Sequence, residues 1–205
     1  MSLKEKLIQQ FHHPKGPLGL VAGQIMARRE SNLARNRWTV DLLELTGYEH
    51  VLELGPGPGV TLNYLLSQLP NGLVVGLDHS SSMLKQAKRR NRRAISAGKL
   101  TLREADFTRL PALPGPFDRI LAVNSLQFDG AQRKTLEAIT SHLAAQGQMA
   151  VTFQPRGEHP TDTKALRFAE KVAGFMEDVG LVDLRIEKLP MQPACAMCVL
   201  GKKYT

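Results

Sequence analysis

Apolar residues in the first half of the chain follow two patterns, one after the other. Residues 50–54 form a short apolar run with one glutamate inside it, and a segment with three alternating glycines, 55–59, follows directly. From Val60 onwards, leucines recur at helical spacing. The pattern predicts a buried strand, a tight turn and an amphipathic helix. A second apolar run, 72–78, comes after that helix, so this part of the chain is typical of a βαβ unit.

The same two patterns continue to the end of the chain and predict one α/β domain over residues 48–205. Two last strands, 182–189 and 194–201, are joined by a short proline-containing connection, which favours antiparallel neighbours. Between the βαβ unit and these two strands, the pattern predicts further strands at 100–107, 117–125 and 147–154, and helices at 81–97, 131–145 and 161–179.

Residues 1–47 precede the first strand and are predicted to form a helical cap. Residues 11–19 are rich in Pro and Gly and predict a loop, whereas residues 20–45 have helical character. We expect this cap to cover an edge or a face of the sheet.

The composition is that of an ordinary globular protein. The chain has 205 residues, of which 42% are hydrophobic and 22% charged, enough for one α/β domain and an appendage. No apolar run is long enough to span a membrane, and the N-terminus lacks the apolar core of a signal peptide. Two cysteines are too few for a disulfide framework and fit a reducing compartment. We therefore expect a cytoplasmic protein.

The net charge of +8 is concentrated in one segment. Residues 85–99 contain seven basic side chains and no acidic one. A solvated helix face is one interpretation, and attraction to an anionic membrane surface or to nucleic acid is the other. No aromatic residue is interleaved with the basic ones, so a stacking platform for single strands is not indicated.

Cysteine and histidine spacing gives no metal site. Cys195 and Cys198 form a C-x-x-C, but the segment reads as a strand, where residues three apart point to opposite faces. No second pair of ligands accompanies them, and the six histidines lack compact metal spacing. We interpret both cysteines as packing residues and predict no metal.

Acidic and amide side chains end several of the predicted strands. Asp78 follows the glycine turn by 23 residues, counted from Gly55, which places a carboxylate where ribose hydroxyls bind in a βαβ unit. The chain resembles the class I S-adenosylmethionine (SAM)-dependent methyltransferases over residues 48–201. The resemblance rests on motifs in the order found in that family: Glu53–Gly59, Gly76–Asp78, Ala105–Phe107, Phe117–Asn124 and Leu143–Met149.

The resemblance implies a Rossmann-like, doubly wound seven-stranded sheet in the order 3-2-1-4-5-7-6, with strand 7 antiparallel. It also implies SAM as the cofactor. Glycines of the turn would back the methionine part, Glu53 would orient the turn or reach the amino group, Asp78 would bind the ribose, and Asp106 would accept the adenine amino group. The implied cofactor residues are Glu53, Gly55, Gly57, Gly59, Asp78, His79, Met83, Asp106, Phe107 and Asn124.

The acceptor implied by the resemblance is a small molecule, methylated at nitrogen or oxygen. The Asn/Asp-Pro-Pro-aromatic sequence of enzymes that methylate base amino groups or glutamine amides is absent after Asn124. No general base stands out, and His12 and His13 are the candidates. Arg156 could pair with an anionic group of the substrate. The candidate substrate residues are Gln24, Arg28, Trp38, Gln127, Phe128, Gln154 and Arg156.

Three alternatives stay open at the level of the sequence. Basic, partly amphipathic N-terminal helices could hold the protein on an anionic bilayer for methylation of lipid head groups. The basic segment 85–99 could bind RNA, although a nucleic-acid partner is not favoured. A SAM-binding protein without catalysis is the third alternative. The sequence leaves the acceptor and the oligomeric state open.

Overall fold

Seven strands form one sheet in the order β3-β2-β1-β4-β5-β7-β6. The computed structural model describes residues 30–128, 131–157 and 159–205, without the side chain of Phe128. All strands are parallel except β7, which runs antiparallel to both neighbours. The predicted fold class and strand order are therefore confirmed. The strands are β1 (His50–Leu54), β2 (Leu73–Asp78), β3 (Leu100–Glu104), β4 (Phe117–Val123), β5 (Leu143–Phe153), β6 (Leu181–Leu189) and β7 (Ala196–Lys203).

Helices cover both faces of the sheet. Side chains of a strand alternate between faces, and in β1 Leu52 belongs to one apolar cluster while Val51 belongs to the other. The first cluster contains residues of α5 and α6, and the second contains residues of α1, α2 and α3. The helices are α1 (Glu30–Asp41), α2 (Val60–Gln68), α3 (Ser81–Arg90), α4 (Arg92–Ser96), α5 (Gln132–Thr140) and α6 (Asp162–Asp178), with a 3₁₀ turn at Leu126–Phe128.

Helix α1 is the part of the N-terminal segment that the structure describes, and it packs against the second face. Val40 and Leu43 are buried in that cluster. Thr39 Oγ1 lies 2.7 Å from Thr152 Oγ1 of β5, and Arg119 Nε donates a 3.0 Å hydrogen bond to the Leu43 carbonyl. These contacts fix α1 above the sheet. The division into residues 1–47 and 48–205 stays a prediction.

The prediction of a single helix over residues 81–97 is wrong. The segment forms two helices, α3 and α4, which are separated at Asn91, because the backbone of that residue leaves the helical region. Asn91 Nδ2 donates to the carbonyl of Gly59 at 3.0 Å and to that of Ala87 at 3.1 Å. The break therefore follows from a tertiary contact, in which a buried amide satisfies the end of α3 and the glycine turn together.

The predicted helix over 131–145 ends too late, because α5 stops at Thr140 and β5 begins at Leu143. Leu143 pairs with Phe117, and the next pair joins Gln148 to Arg119. The four residues of β5 between these pairs therefore lie opposite a single residue of β4 and form an irregularity in the strand. Gln146 inside it has a φ of 61°, outside the range of a strand. The junction between the predicted helix and the predicted strand over 147–154 therefore lies within β5.

The two cysteines are free and buried. Cys195 belongs to the apolar cluster on one face of the sheet and Cys198 to the cluster on the other. Their interpretation as packing residues is confirmed.

The basic side chains of residues 85–93 are exposed. Arg90 also donates to the carbonyl of Pro58 in the glycine turn. Within residues 30–128, 131–157 and 159–205, no helix is long and apolar enough to cross a membrane. A cytoplasmic location stays a prediction.

Candidate functional site

A cavity of about 550 Å³ lies at the carboxyl ends of the parallel strands. Its wall includes the glycine turn after β1, the acidic end of β2 and the ends of β4 and β5, with α1 on one side. In an open α/β sheet this edge, where the strand order reverses between β1 and β4, is where ligands bind. The position follows from the topology alone.

The glycines of the turn after β1 have three different environments. All three have positive φ, at 68°, 53° and 77° for Gly55, Gly57 and Gly59. A Cβ at Gly55 would lie 2.4 Å from that of Ser125, and one at Gly59 would lie 2.9 Å from that of Ala87. A Cβ at Gly57 would meet nothing within 4 Å. Gly57 therefore faces open space on the cavity wall, whereas Gly59 lies against α3, off that wall.

Asp78 ends β2 and connects it to the glycine turn. Its Oδ2 accepts a 2.9 Å hydrogen bond from the Gly57 N–H, and its Oδ1 accepts one of 2.9 Å from the Ser80 N–H. The side chain is buried on the cavity wall, and His79 Nδ1 lies 3.8 Å from Oδ1. Burial raises the pKa of Asp78, against the two backbone donors, which lower it. This carboxyl group both orders the turn and faces the cavity.

Glu53 lies behind the wall rather than on it. It is fully buried in β1, and burial raises its pKa to about 8, with the Thr61 hydroxyl opposing the shift and Asp78 adding to it. Thr61 lines the cavity and accepts a 2.8 Å hydrogen bond from Asn36 Nδ2 of α1. The second carboxyl oxygen of Glu53, Oε2, has no partner. Burial therefore favours the protonated form of this carboxyl group beside the turn.

Apolar side chains form the wall beyond β2. Met83 of α3 and Phe107 after β3 are buried and line the cavity, and the His79 ring meets Phe107 edge to face. Asp106 is exposed and lies off the cavity wall. Its Oδ1 accepts hydrogen bonds of 2.8 Å from both the N–H and the hydroxyl of Thr108, which lower its pKa.

Asn124 joins the ends of β4 and β5. Its side-chain Nδ2 donates to the Gln154 carbonyl at 2.9 Å, and its Oδ1 accepts from the Gln154 N–H at 2.8 Å. The residue has a φ of 49°, a left-handed conformation that asparagine tolerates. Gln127 Nε2 in turn donates to the Asn124 carbonyl at 2.8 Å. These bonds hold the two strand ends in one arrangement on the cavity wall.

Two guanidinium groups meet at the side chain of Gln154, which is fully buried. Its Oε1 accepts a 3.1 Å hydrogen bond from Arg35 of α1 and a 2.6 Å bond from Arg156. Its Nε2 donates to the carbonyls of Gln192 and Ala194 before β7. One amide therefore connects α1, the end of β5 and the loop before β7.

Arg35 was not among the predicted site residues. Four arginines lie on α1 and the segment before it, and composition does not separate them. The spacing of the sequence could have identified Arg35 as a buried residue. Arg35, Thr39 and Leu43 lie four residues apart, as residues on one face of a helix do, and all three are buried.

The cavity brings most of the predicted residues together. On its wall lie Gly55, Gly57, Asp78, His79, Met83, Phe107, Asn124, Gln127, Gln154 and Arg156. Off the wall are Glu53, Gly59, Asp106 and Trp38, the last packed against the second apolar cluster. His12, His13, Gln24, Arg28 and the side chain of Phe128 lie outside the described residues.

No group of three potential metal ligands is present in residues 30–128, 131–157 and 159–205. The absence of a metal site stays a prediction for the whole chain.

Known proteins resemble the chain in sequence. It matches the family described as a methyltransferase domain over residues 51–147. It is 28% identical over 184 residues to YdaC, an uncharacterized methyltransferase of Bacillus subtilis (strain 168), covering 90% of this chain and 98% of that protein. A trans-aconitate 2-methyltransferase of Klebsiella pneumoniae (strain 342) is 30% identical over 141 residues, or 67% of this chain. The chain spans only 53% of that relative's length.

Solved structures share the fold at low identity. The N-methyltransferase NodS from Bradyrhizobium japonicum WM9, crystallised with S-adenosyl-L-homocysteine (SAH), has a TM-score of 0.71 and 17% identity, covering 88% of this chain and 91% of NodS. A SAM-dependent methyltransferase from Aquifex aeolicus has a TM-score of 0.69 and 17% identity, covering 85% and 93% of the two chains.

Proposed function

Because the chain belongs to the class I SAM-dependent methyltransferases, we propose that it transfers the methyl group of SAM to a nitrogen or oxygen atom of a small molecule. The observation that supports this proposal is the continuous cavity, whose wall includes Asp78 at the end of β2 and Gln154 at the end of β5. The name of the trans-aconitate relatives supports a small-molecule acceptor. Since the chain spans about half of their length, the acceptor of this protein is a proposal.

The residues present fit the cofactor. Gly57 leaves space that a Cβ would fill, next to the buried carboxyl group of Asp78. Such an arrangement suits the close approach of a ribose, with Asp78 accepting from its hydroxyls. Met83 and Phe107 would hold the adenine. Glu53 would act from behind the wall, where its contact with the Thr61 hydroxyl orients that lining residue.

The protein's part in the reaction is chiefly to position the acceptor. SAM supplies a methyl group that its sulfonium already makes strongly electrophilic. Asn124 and Gln154 would define the surface on which the acceptor lies, because their mutual hydrogen bonds fix both strand ends. The main contribution of the protein is to hold the nucleophilic atom of the acceptor in line with the bond from sulfur to the methyl group, at near-contact distance.

The described part of the wall offers little for proton removal near the ends of β4 and β5. Among the described lining residues, the only acidic side chain is Asp78, and the only histidine is His79 beside it. This favours an acceptor that arrives as a nucleophile, such as a neutral amine or a carboxylate. His12 and His13 stay candidates for a base.

Calorimetric titration with SAM and SAH tests the proposal. We expect the wild type to bind both compounds, and Asp78→Ala to bind SAH at least tenfold more weakly. Glu170→Ala removes an exposed carboxylate of α6 and should bind as the wild type does. If the wild type binds neither compound, the proposal is wrong. If it binds SAM but methylates no acceptor, the protein is a SAM-binding protein without catalytic activity.

A further inference from the structure

Arg35 is an unusual residue because it is a buried cation with only neutral partners. The side chain is 5% exposed. It donates to Asn32 Oδ1 at 3.2 Å, to Asn36 Oδ1 at 3.1 Å and to Gln154 Oε1 at 3.1 Å. Its Nε has no partner, and no described residue forms an ion pair with it. Burial, and then the charge of Arg156, lower the pKa of Arg35 to about 9.

Arg156 brings a second positive charge to the same place. Its guanidinium donates to Gln154 Oε1 at 2.6 Å and to Ser31 Oγ at 2.8 Å. Two like charges on one amide oxygen repel each other, and burial of the Arg35 cation is costly because all its hydrogen-bond partners are neutral. Arg35, Arg156 and Gln154 all line the cavity. The arrangement is therefore suited to an anion that enters from the cavity.

The strand order separates this cluster from the predicted ribose site. Asp78 ends β2 and Gln154 follows β5, and β1 and β4 lie between those strands. At the usual spacing of neighbouring strands, the ends of β2 and β5 are roughly 14 Å apart. The glycine turn that would back the methionine part follows β1, so the cluster lies two strands beyond it, with Asn124 at the end of β4 in between.

We infer that Arg35, Arg156 and Gln154 form a subsite for a carboxylate of the acceptor, so that the acceptors of this protein are small carboxylic acids. The inference rests on the proposed function. Planar guanidinium groups pair with carboxylates through two parallel hydrogen bonds, which fixes orientation as well as charge. A carboxylate bound there would hold the rest of the acceptor toward Asn124, at the centre of the cavity wall.

Protein loaded with SAH, titrated with carboxylic acids in a calorimeter, tests the subsite. The probes are acetate, benzoate, succinate and trans-aconitate, together with the trimethyl ester of trans-aconitate and inorganic phosphate. We expect at least one carboxylate to bind the wild type, with the ester not binding. Arg156→Gln should weaken that binding by roughly 10- to 100-fold, and Arg156→Lys should restore part of it. Arg167→Gln makes the same charge change on the exposed side of α6 and should have no effect.

Separate titrations with SAH and with 5′-methylthioadenosine, which lacks the amino-acid part, show whether the arginines bind a carboxylate of the acceptor or the carboxylate of the cofactor. If the inference holds, Arg156→Gln changes neither affinity. Weaker binding of SAH but not of 5′-methylthioadenosine would assign the arginines to the cofactor's own carboxylate and overturn the inference. Phosphate binding as tight as that of the carboxylates would also overturn the inference. The same holds if the wild type binds SAH but none of the carboxylates. Failure of the wild type to bind SAH would instead refute the proposed function.

Discussion

Replacing Glu53 by glutamine keeps the shape of the side chain and removes its ionisation, and we expect the unliganded protein to become less sensitive to pH. In the folded chain, burial raises the pKa of Glu53 from 4.5 to about 8. The unfolded chain ionises this group near its ordinary pKa. Between these two values unfolding releases a proton, so the wild type loses stability as pH rises. Glutamine has no proton to release.

The size of the effect follows from the two pKa values of Glu53. Stability changes by about 1.4 kcal/mol per pH unit while only the folded state holds the proton, and the slope falls as pH approaches the folded pKa. Between pH 6 and pH 8, the wild type should lose about 2 kcal/mol through this group. Glutamine keeps an acceptor for Thr61, and its amide group replaces the oxygen that has no partner in the wild type.

Urea unfolding at pH 6, 7 and 8 without cofactor measures this difference. The stability of Glu53→Gln minus that of the wild type should increase by about 2 kcal/mol across the range. Groups that titrate equally in both proteins cancel in the subtraction. Glu170→Gln, an exposed position of α6, should give a constant difference. A constant difference for Glu53→Gln as well would show that the carboxyl group is already ionised in the folded protein, and the reasoning would be wrong.

Gly57→Ala should weaken SAH binding at least tenfold, whereas Gly98→Ala, with φ of 70° and equally open space, should cost a similar 1 kcal/mol or so of stability and leave binding unchanged. Equal SAH affinities of the two variants would contradict the position of Gly57 on the ligand wall. Asn124→Ala should lower the free energy of unfolding by about 2 kcal/mol, since it removes two hydrogen bonds between the ends of β4 and β5; a loss below about 0.5 kcal/mol in thermal unfolding would refute this. Neither Cys195 nor Cys198 should react with DTNB in the native protein, because burial raises the pKa of both thiols, that of Cys198 to about 12. Both should react after unfolding, and fast reaction of the folded protein would contradict their packing.

Local patterns were enough to predict the individual strands and one end of the cavity. The glycine turn and Asp78 are adjacent to the strands that carry them, and the carboxyl ends of parallel strands meet at one edge. Strand order followed from the family resemblance, and the short connection before β7 favoured its antiparallel direction.

Features that depend on distant neighbours were out of reach of the sequence. The break at Asn91 requires the carbonyl of Gly59, 32 positions away in the chain. The pairing of Arg35 with Gln154 spans 119 positions and depends on which face α1 presents to the sheet. Gln154 itself was among the predicted substrate residues, but nothing in the sequence indicates that it connects three segments.

The glycine turn also has a consequence for how this sequence can change over evolutionary time. What reads as one motif is three separate steric constraints with different partners. Position 55 is tied to residue 125, and position 59 is tied to residue 87 of α3 and to residue 91 just after it. Position 57 has no such neighbour and is constrained by its positive φ and by the occupant of the cavity. Substitutions at 55 and 59 should therefore covary with these partners among homologues. Position 57 should vary only when the ligand does.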